Sequence, residues 1–123
     1  SNLNFISAVF IKCNFGGAVI ENSIFQRAKV GYSDQTTTYN LKESSFCGAF
    51  LMNTLFIKCD LTEVDFREAR LKGAVFDRCK LNKTKYGGAD INGVSFEGST
   101  IEAAELDYQG FVMYGNSKGF KLC

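Results

Sequence analysis

A five-residue spacing of apolar residues runs through most of this 123-residue chain and constrains its fold more than any other feature. From residue 59 to residue 111, every fifth residue beginning at Leu61 is large and apolar. The residue two places before each of these is small or β-branched until Gln109 ends that series, and charged or small polar residues fill most of the other positions. A period of five fits neither an α-helix nor a single strand, so the pattern indicates a structural repeat.

The N-terminal part repeats the pattern in another phase, at Phe5, Phe10, Phe15, Ile20, Phe25 and Val30. Residues 31–40 blur it, and it resumes at Leu41 with a step one residue longer than two repeats, which predicts a single inserted residue within 31–38. We therefore divide one domain, 1–123, into a first repeat block (3–30), an irregular insertion (31–40), a second repeat block (41–111) and a C-terminal cap (112–123).

Four five-residue sides would form one square coil of 20 residues, and the alternation of aliphatic with aromatic residues from Leu41 onward supports that coil. Phe46 would then stack with Phe66 on one side, and Phe56 with Phe76 on the opposite side. Counting back through one inserted residue places Phe25 on the Phe46 side and Phe15 on the Phe56 side. The predicted core ladder comprises Phe46, Phe56, Leu61, Phe66, Leu71, Phe76, Leu81, Tyr86, Ile91 and Phe96.

The repeated triplets include Cys13-Asn14-Phe15, Cys59-Asp60-Leu61, Val64-Asp65-Phe66 and Ala89-Asp90-Ile91. They resemble the pentapeptide-repeat family, whose pattern is Ala-(Asp/Asn)-(Leu/Phe)-X-X. The resemblance covers nearly the whole chain, although Tyr39 falls at a position meant for a small residue. It implies an all-β fold: a right-handed quadrilateral β-helix of about five to six coils, closed by a short C-terminal cap.

Charge excludes two classes of partner. The net charge is +1, so nothing in bulk electrostatics favours nucleic acid or an anionic membrane. Opposite charges also fall one coil apart, as at Asp60 and Lys80 or Glu63 and Lys83. The resemblance implies that some relatives imitate DNA with an acidic face and bind type II topoisomerases. Here Lys80, Lys83 and Lys85 interrupt such a face, so we expect no direct nucleic-acid or membrane binding.

Chemistry-bearing motifs are missing from the sequence. There is no His, no glycine-rich phosphate loop and no nucleophile motif, so we expect no enzyme, no cofactor, no metal and no small-molecule substrate. The five cysteines form no CxxC pair, which favours buried reduced thiols and a cytoplasmic location. Cys59 and Cys79, one coil apart, should stack as thiols.

Several apolar residues occupy outward positions around one corner of the predicted coil. We define this apolar corner as Phe50, Met52, Leu55, Ile57 and Val75. Val9 and Ile11 would lie on the same side as Phe50. Contiguous exposed apolar surface marks an interaction site in many proteins, so the corner predicts a contact with another protein or a second copy. The alternative is that the insertion or the chain termini fold over it.

The repeat fails after Phe111, because Asn116 stands where a large residue is due. We expect Val112, Met113, Tyr114, Phe120 and Leu122 to cover the open end, with no recognisable C-terminal dimerisation helix. No comparable cap precedes Phe5, which suggests a missing segment or a partner stacked on that end.

The leading functional hypothesis is thus a rigid, non-enzymatic protein-interaction module. The alternative is a topoisomerase-binding DNA mimic in which residues 32–39 form a contact loop.

Overall fold

A computed structural model of the chain describes residues 13–26 and 39–123; of residues 26, 39 and 40 it describes the backbone alone. The strands are β1 (Ile24–Gln26), β2 (Tyr39–Asn40), β3 (Leu55–Ile57), β4 (Cys59–Asp60) and β5 (Val75–Asp77), followed by helix α1 (Tyr108–Ser117). All strand pairing in the described ranges is parallel, in the orders β1-β3-β5 and β2-β4.

Parallel pairing one coil apart builds four sides. The first side carries the bridges Ser45 to Asp65 and Asp65 to Lys85, and the second carries Phe50 to Arg70. The third side is the β1-β3-β5 sheet, and the fourth contains β2 and β4. Each side is too short to stand alone, so its backbone groups bond the coils above and below. This is the quadrilateral β-helix that the period of five predicted.

The repeat motif has a local explanation at the corners. Where Asp, Asn or Ser precedes a large residue, its side chain accepts a hydrogen bond from the backbone N–H two residues on, as Asp65 Oδ1 does from Arg67 at 2.9 Å and Asp90 Oδ1 from Asn92 at 3.1 Å. This short-range bond turns the chain through the corner, which is why Asp, Asn and Ser recur there. The large residue itself then points inward and its N–H donates to the next coil; Phe66 N lies 2.8 Å from the Lys85 carbonyl oxygen.

The interior is a set of ladders. All ten side chains of the predicted core ladder point into it; nine are buried, and Phe96 is half-buried. Phe46 and Phe66 stack with ring centroids 5.4 Å apart, and Phe56 and Phe76 at 5.0 Å. Rings on the opposite sides meet edge to face, which is the favourable crossed geometry for neighbouring aromatics. The small inward residues leave room for these rings, and Thr54 also donates its hydroxyl to the Ile20 carbonyl at 2.6 Å.

The predicted register across the irregular segment is wrong. Phe25 pairs with Phe56 rather than with Phe46, and Phe15 stacks on Phe46 at 4.9 Å. Partners across this point are 31 residues apart in sequence, whereas elsewhere they are 20 apart. The chain therefore has eleven extra residues between Gln26 and Tyr39 instead of one. Residues 27–38, most of the predicted insertion, lie outside the described residues, as do Val9 and Ile11.

The end of the β-helix also differs from the prediction. The last bridge joins Lys85 to Glu105, and the ten-residue helix α1 begins at Tyr108, so Phe111 is a helical residue that is 66% exposed. The C-terminal cap therefore contains a helix, which the failing repeat did not predict. Asp107 caps α1: its Oδ1 accepts from Gly110 N, while Oδ2 accepts from Gly88 N in the coil below, both at 2.8 Å. One carboxylate thus starts the helix and fixes it to the β-helix.

Candidate functional site

The apolar corner spans the second and third sides of the β-helix. Phe50 stands on the second side, Met52 in the turn, and Leu55 and Ile57 on β3, with Val75 directly above Leu55 on β5. All five side chains are only half-buried, although each carries a large apolar surface. The parallel ladder fixes their spacing, so the corner is a rigid feature of the scaffold.

The structure adds two residues that the sequence analysis missed. Val19 bridges to Phe50 and is 55% exposed, and Ile24 on β1 pairs with Leu55. The third side therefore presents an outward column of Ile24, Leu55 and Val75 on three successive coils. The assumed one-residue insertion hid this continuation because it assigned the coil below Phe50 to other residues. The available signal was that both residues are apolar and immediately precede inward large ones.

Above this surface the coil becomes polar. The Arg70 guanidinium lies over the Phe50 ring, 5.5 Å from its centre, which is a cation–π distance. At the same turn, Met52, Asn53, Lys72, Gly73 and two further residues line a shallow depression of about 430 Å³. Gly73 has a positive φ of 72°, and a Cβ there would overlap the Asn53 side chain, so a larger residue would disrupt the depression. The apolar corner is thus bounded by the cationic side chains of Arg70 and Lys72, beside this depression.

The remaining faces carry charges of alternating sign. Along the first side, Asp65, Lys85 and Glu105 are successive bridge partners, and Arg70 bridges to Asp90 on the second. Lys83 Nζ lies 3.9 Å from Glu63 Oε1, so these two residues form an ion pair. The Arg67 guanidinium bonds both oxygens of Asp65 and is the main cause of the lowered pKa of that carboxyl. These columns form no continuous acidic face.

Cysteine chemistry offers no site among the described residues. The thiols of Cys47, Cys59, Cys79 and Cys123 form no disulfide, and no cluster of three potential metal ligands occurs in 13–26 and 39–123. Burial, and then the neighbouring Cys79, raise the pKa of the Cys59 thiol, which keeps it protonated. Cys79 Sγ donates to the Phe56 carbonyl at 3.1 Å, so these thiols belong to the core packing.

A second apolar surface lies at the C-terminal end. Met113 and Tyr114 pack against the core as expected of a cap. Phe120 and Leu122 do not cover the end; they are 75% and 60% exposed, respectively. Together with Tyr108 and Phe111 they line a depression of about 210 Å³ beside α1. The expectation that Phe120 and Leu122 cover the end is thus wrong, and the capping residue Asp107 before the ten-residue stretch was a signal for a helix.

The fold and these surfaces define a class: a β-helical repeat protein that presents fixed surfaces. The chain belongs to the pentapeptide-repeat family, because the family profile described as "Pentapeptide repeat region" matches residues 35–106. Its right-handed quadrilateral β-helix is therefore the family fold, as predicted. A search of curated protein sequences gave no significant match. No helix in the described part of the chain is long and apolar enough to cross a membrane.

Solved structures of similar fold include three informative cases. A pentapeptide repeat protein from the Arabidopsis thaliana thylakoid lumen is 22% identical over 74% of this chain and 59% of its own, with a TM-score of 0.47. HetL, involved in heterocyst differentiation regulation in Nostoc, is 18% identical over 84% of this chain and 55% of its own, with a TM-score of 0.33. QnrB1, a plasmid-mediated fluoroquinolone resistance protein, is 20% identical over 87% of this chain and 68% of its own, at 0.31. The chain thus spans less than two thirds of the first two proteins, and these similarities concern fold alone.

Proposed function

We propose that this chain is a non-enzymatic protein-interaction module and that the apolar corner is its contact surface. The observation that carries the proposal is the outward column Ile24, Leu55 and Val75, continued around the turn by Phe50. Apolar side chains held in register on three coils supply a preformed patch. The module therefore loses little conformational entropy when a partner binds.

The partner's chemistry follows from the patch and its rim. An apolar centre beside Arg70 and Lys72 fits another protein that offers an apolar patch with acidic residues at its edge, or a second copy of this chain. The buried, reduced thiols of Cys59 and Cys79 support our further proposal of a reducing, cytoplasmic setting.

The test uses the double substitution Phe50→Asp with Leu55→Asp. Both side chains point outward, so we expect the variant to fold and to lose self-association or partner capture. Solution mass by light scattering during size exclusion measures the first, and a pull-down measures the second.

The matched control is Thr100→Asp with Gln109→Asp, which adds the same charge at two exposed positions away from the apolar corner. Thr100 lies above Lys80, and an acidic residue at Gln109 would stand in the first turn of α1, where the helix dipole favours negative charge. The control should bind as wild type does. Equal binding by the Phe50/Leu55 variant would refute the assignment of the surface.

The competing function is a DNA mimic that binds a type II topoisomerase. Helix α1 is a C-terminal helix, but its presence alone does not make it the dimerisation helix whose lack weighed against this function. The alternating columns remain unfavourable, because Lys85 stands between Asp65 and Glu105. A gyrase supercoiling assay discriminates: no change at micromolar protein would remove this function.

A further inference from the structure

A small apolar cavity lies between the last coil of the β-helix and α1. Its volume is about 120 Å³. Its floor is formed by Tyr86 and Phe96, the uppermost rings of the two aromatic ladders, which meet edge to face with centroids 5.8 Å apart. Leu106 and Tyr114 enclose it, and nearly all of its lining is apolar. It is separate from the apolar corner, so its occupancy does not depend on the proposed function.

The ladder explains why space remains at this point. Within the coils, a ring is followed by another ring directly above it, as Tyr86 follows Phe66 at 5.5 Å and Phe96 follows Phe76 at 5.6 Å. Above Tyr86 the next residue of the column is Leu106, an aliphatic side chain. Above Phe96 stands Tyr114 of α1, tilted by 59° at 5.7 Å. The helix covers the end but does not supply the flat ring that would continue the stack.

Size and chemistry define what fits. Apolar cavities of about 150 Å³ in protein interiors stay dry and bind benzene, so a cavity of about 120 Å³ suits a single ring of six carbon atoms. The apolar lining would not repay desolvation of a charged group. Ile101 and Phe111 border the cavity and are 55% and 66% exposed, respectively, which places its entrance between the last coil and α1.

We propose that this cavity is a binding site for an uncharged, single-ring aromatic molecule that packs against the uppermost rings of the aromatic ladders. The ligand's ring would lie between Leu106 and Tyr114, in contact with the edges of Tyr86 and Phe96. An aromatic side chain from a second copy of the chain is the competing occupant, and the experiment below separates the two.

Benzene is titrated into the full chain, and the methyl groups of the chain are followed by ¹H–¹³C NMR. Size exclusion at the same protein concentration shows whether the chain is a monomer or a dimer. Saturable shifts confined to the methyls of Ile101, Ala104 and Leu106 are expected. Benzoate, which carries the same ring and a charge, should cause none. No saturable shift with benzene, or shifts centred on Val112 and Leu122 beside the other depression, would overturn the proposal.

Two variants sharpen the test. Ala104→Leu fills the cavity from its wall and should weaken benzene binding at least about tenfold. Leu122→Ser alters the neighbouring depression and should leave binding within about twofold of wild type. The reverse pattern would assign the ligand to that depression. A dimer whose Ile101 and Ala104 methyls are insensitive to benzene would overturn the proposal in favour of a partner side chain. The wild-type shift map decides the matter alone if Ala104→Leu does not fold.

Discussion

At the scale of single residues, the interior shows how closely each position is matched to its neighbours above and below. Large apolar side chains stack in columns, and small residues such as Thr54 donate a hydrogen bond to the backbone of the coil below. Tyr86 is the exception in its column. Its ring continues the stack, but its hydroxyl is buried without a hydrogen-bond partner, and this burial raises the pKa of the hydroxyl. A buried polar group without a partner costs stability, so this residue is the weak point of the ladder.

Tyr86→Phe should therefore raise the free energy of unfolding at pH 7 by about 0.5–1 kcal/mol, because it removes the unpaired hydroxyl and keeps the ring. Above pH 10, the usual tyrosine pKa, the unfolded chain loses this proton while the folded chain keeps it, so wild-type stability declines with rising pH. The variant should lack that part of the decline. Urea denaturation at pH 7 and pH 10.5 measures both effects.

Phe66→Tyr is the matched control, since it places a hydroxyl on the ring directly below Tyr86. It should lower stability by about 1–3 kcal/mol. Equal stability of wild type and both variants would mean that the Tyr86 hydroxyl is already compensated.

At the scale of elements, one side chain joins the cap to the repeat. The two backbone hydrogen bonds that Asp107 accepts, from Gly88 and then Gly110, lower the pKa of its carboxyl below the usual 3.8. Because the pKa is lowered, the carboxylate stabilises the folded state fully above the usual pKa of 3.8, where it is ionised in the unfolded chain as well. The contribution is lost as the pH falls through the folded-state pKa. Helix α1 has no acidic residue in its first turn, so Asp107 alone supplies negative charge at its N-terminus.

Asp107→Ala should destabilise the chain at pH 7 by about 1 kcal/mol or more, because both backbone donors lose their acceptor. Asp107→Asn should lose less, since its amide oxygen still accepts one bond. The difference between wild type and the alanine variant should shrink as the pH falls below about 3.8. Urea denaturation across pH 2.5–7 tests this. A constant difference over that range would show that the carboxylate charge contributes nothing.

At the scale of the whole molecule, some features could be predicted from the sequence and others could not. The period of five determines which side chains point inward, so the ladder from Phe46 to Phe96 followed directly. The register below it did not. Because aliphatic and aromatic sides alternate, adding ten residues restores the same alternation, and a step of 21 residues looks like a step of 31. Pairings in the structure distinguish them, such as that of Phe25 with Phe56.

The undetermined register also limited what could be predicted about the surface. The apolar corner on Phe50 and Leu55 followed from the repeat, whereas its continuation to Val19 and Ile24 depended on the register. The end cavity was beyond sequence reasoning altogether. It exists because α1 covers the last rings at an angle, and helix orientation is a property of tertiary packing.

Stability should also vary along the molecule, since each coil is held by its neighbours. The inward residues Leu61, Phe66 and Leu71 donate their backbone N–H to the coil above, at 2.8–2.9 Å. Within the described residues, the corresponding amides of Ile91, Phe96 and Ile101 have no such acceptor, because the chain continues as α1 instead of a further coil. Native-state hydrogen exchange should therefore be slow for the first group and at least about 100-fold faster for the second.

The control amides in the same region are those of Ala89, Val94 and Ala104, which do have acceptors; Ala104 N, for example, donates to the Ile101 carbonyl at 3.1 Å. These amides should be better protected than the second group. Uniform protection across these amides would mean that the last coil is sealed by something besides α1.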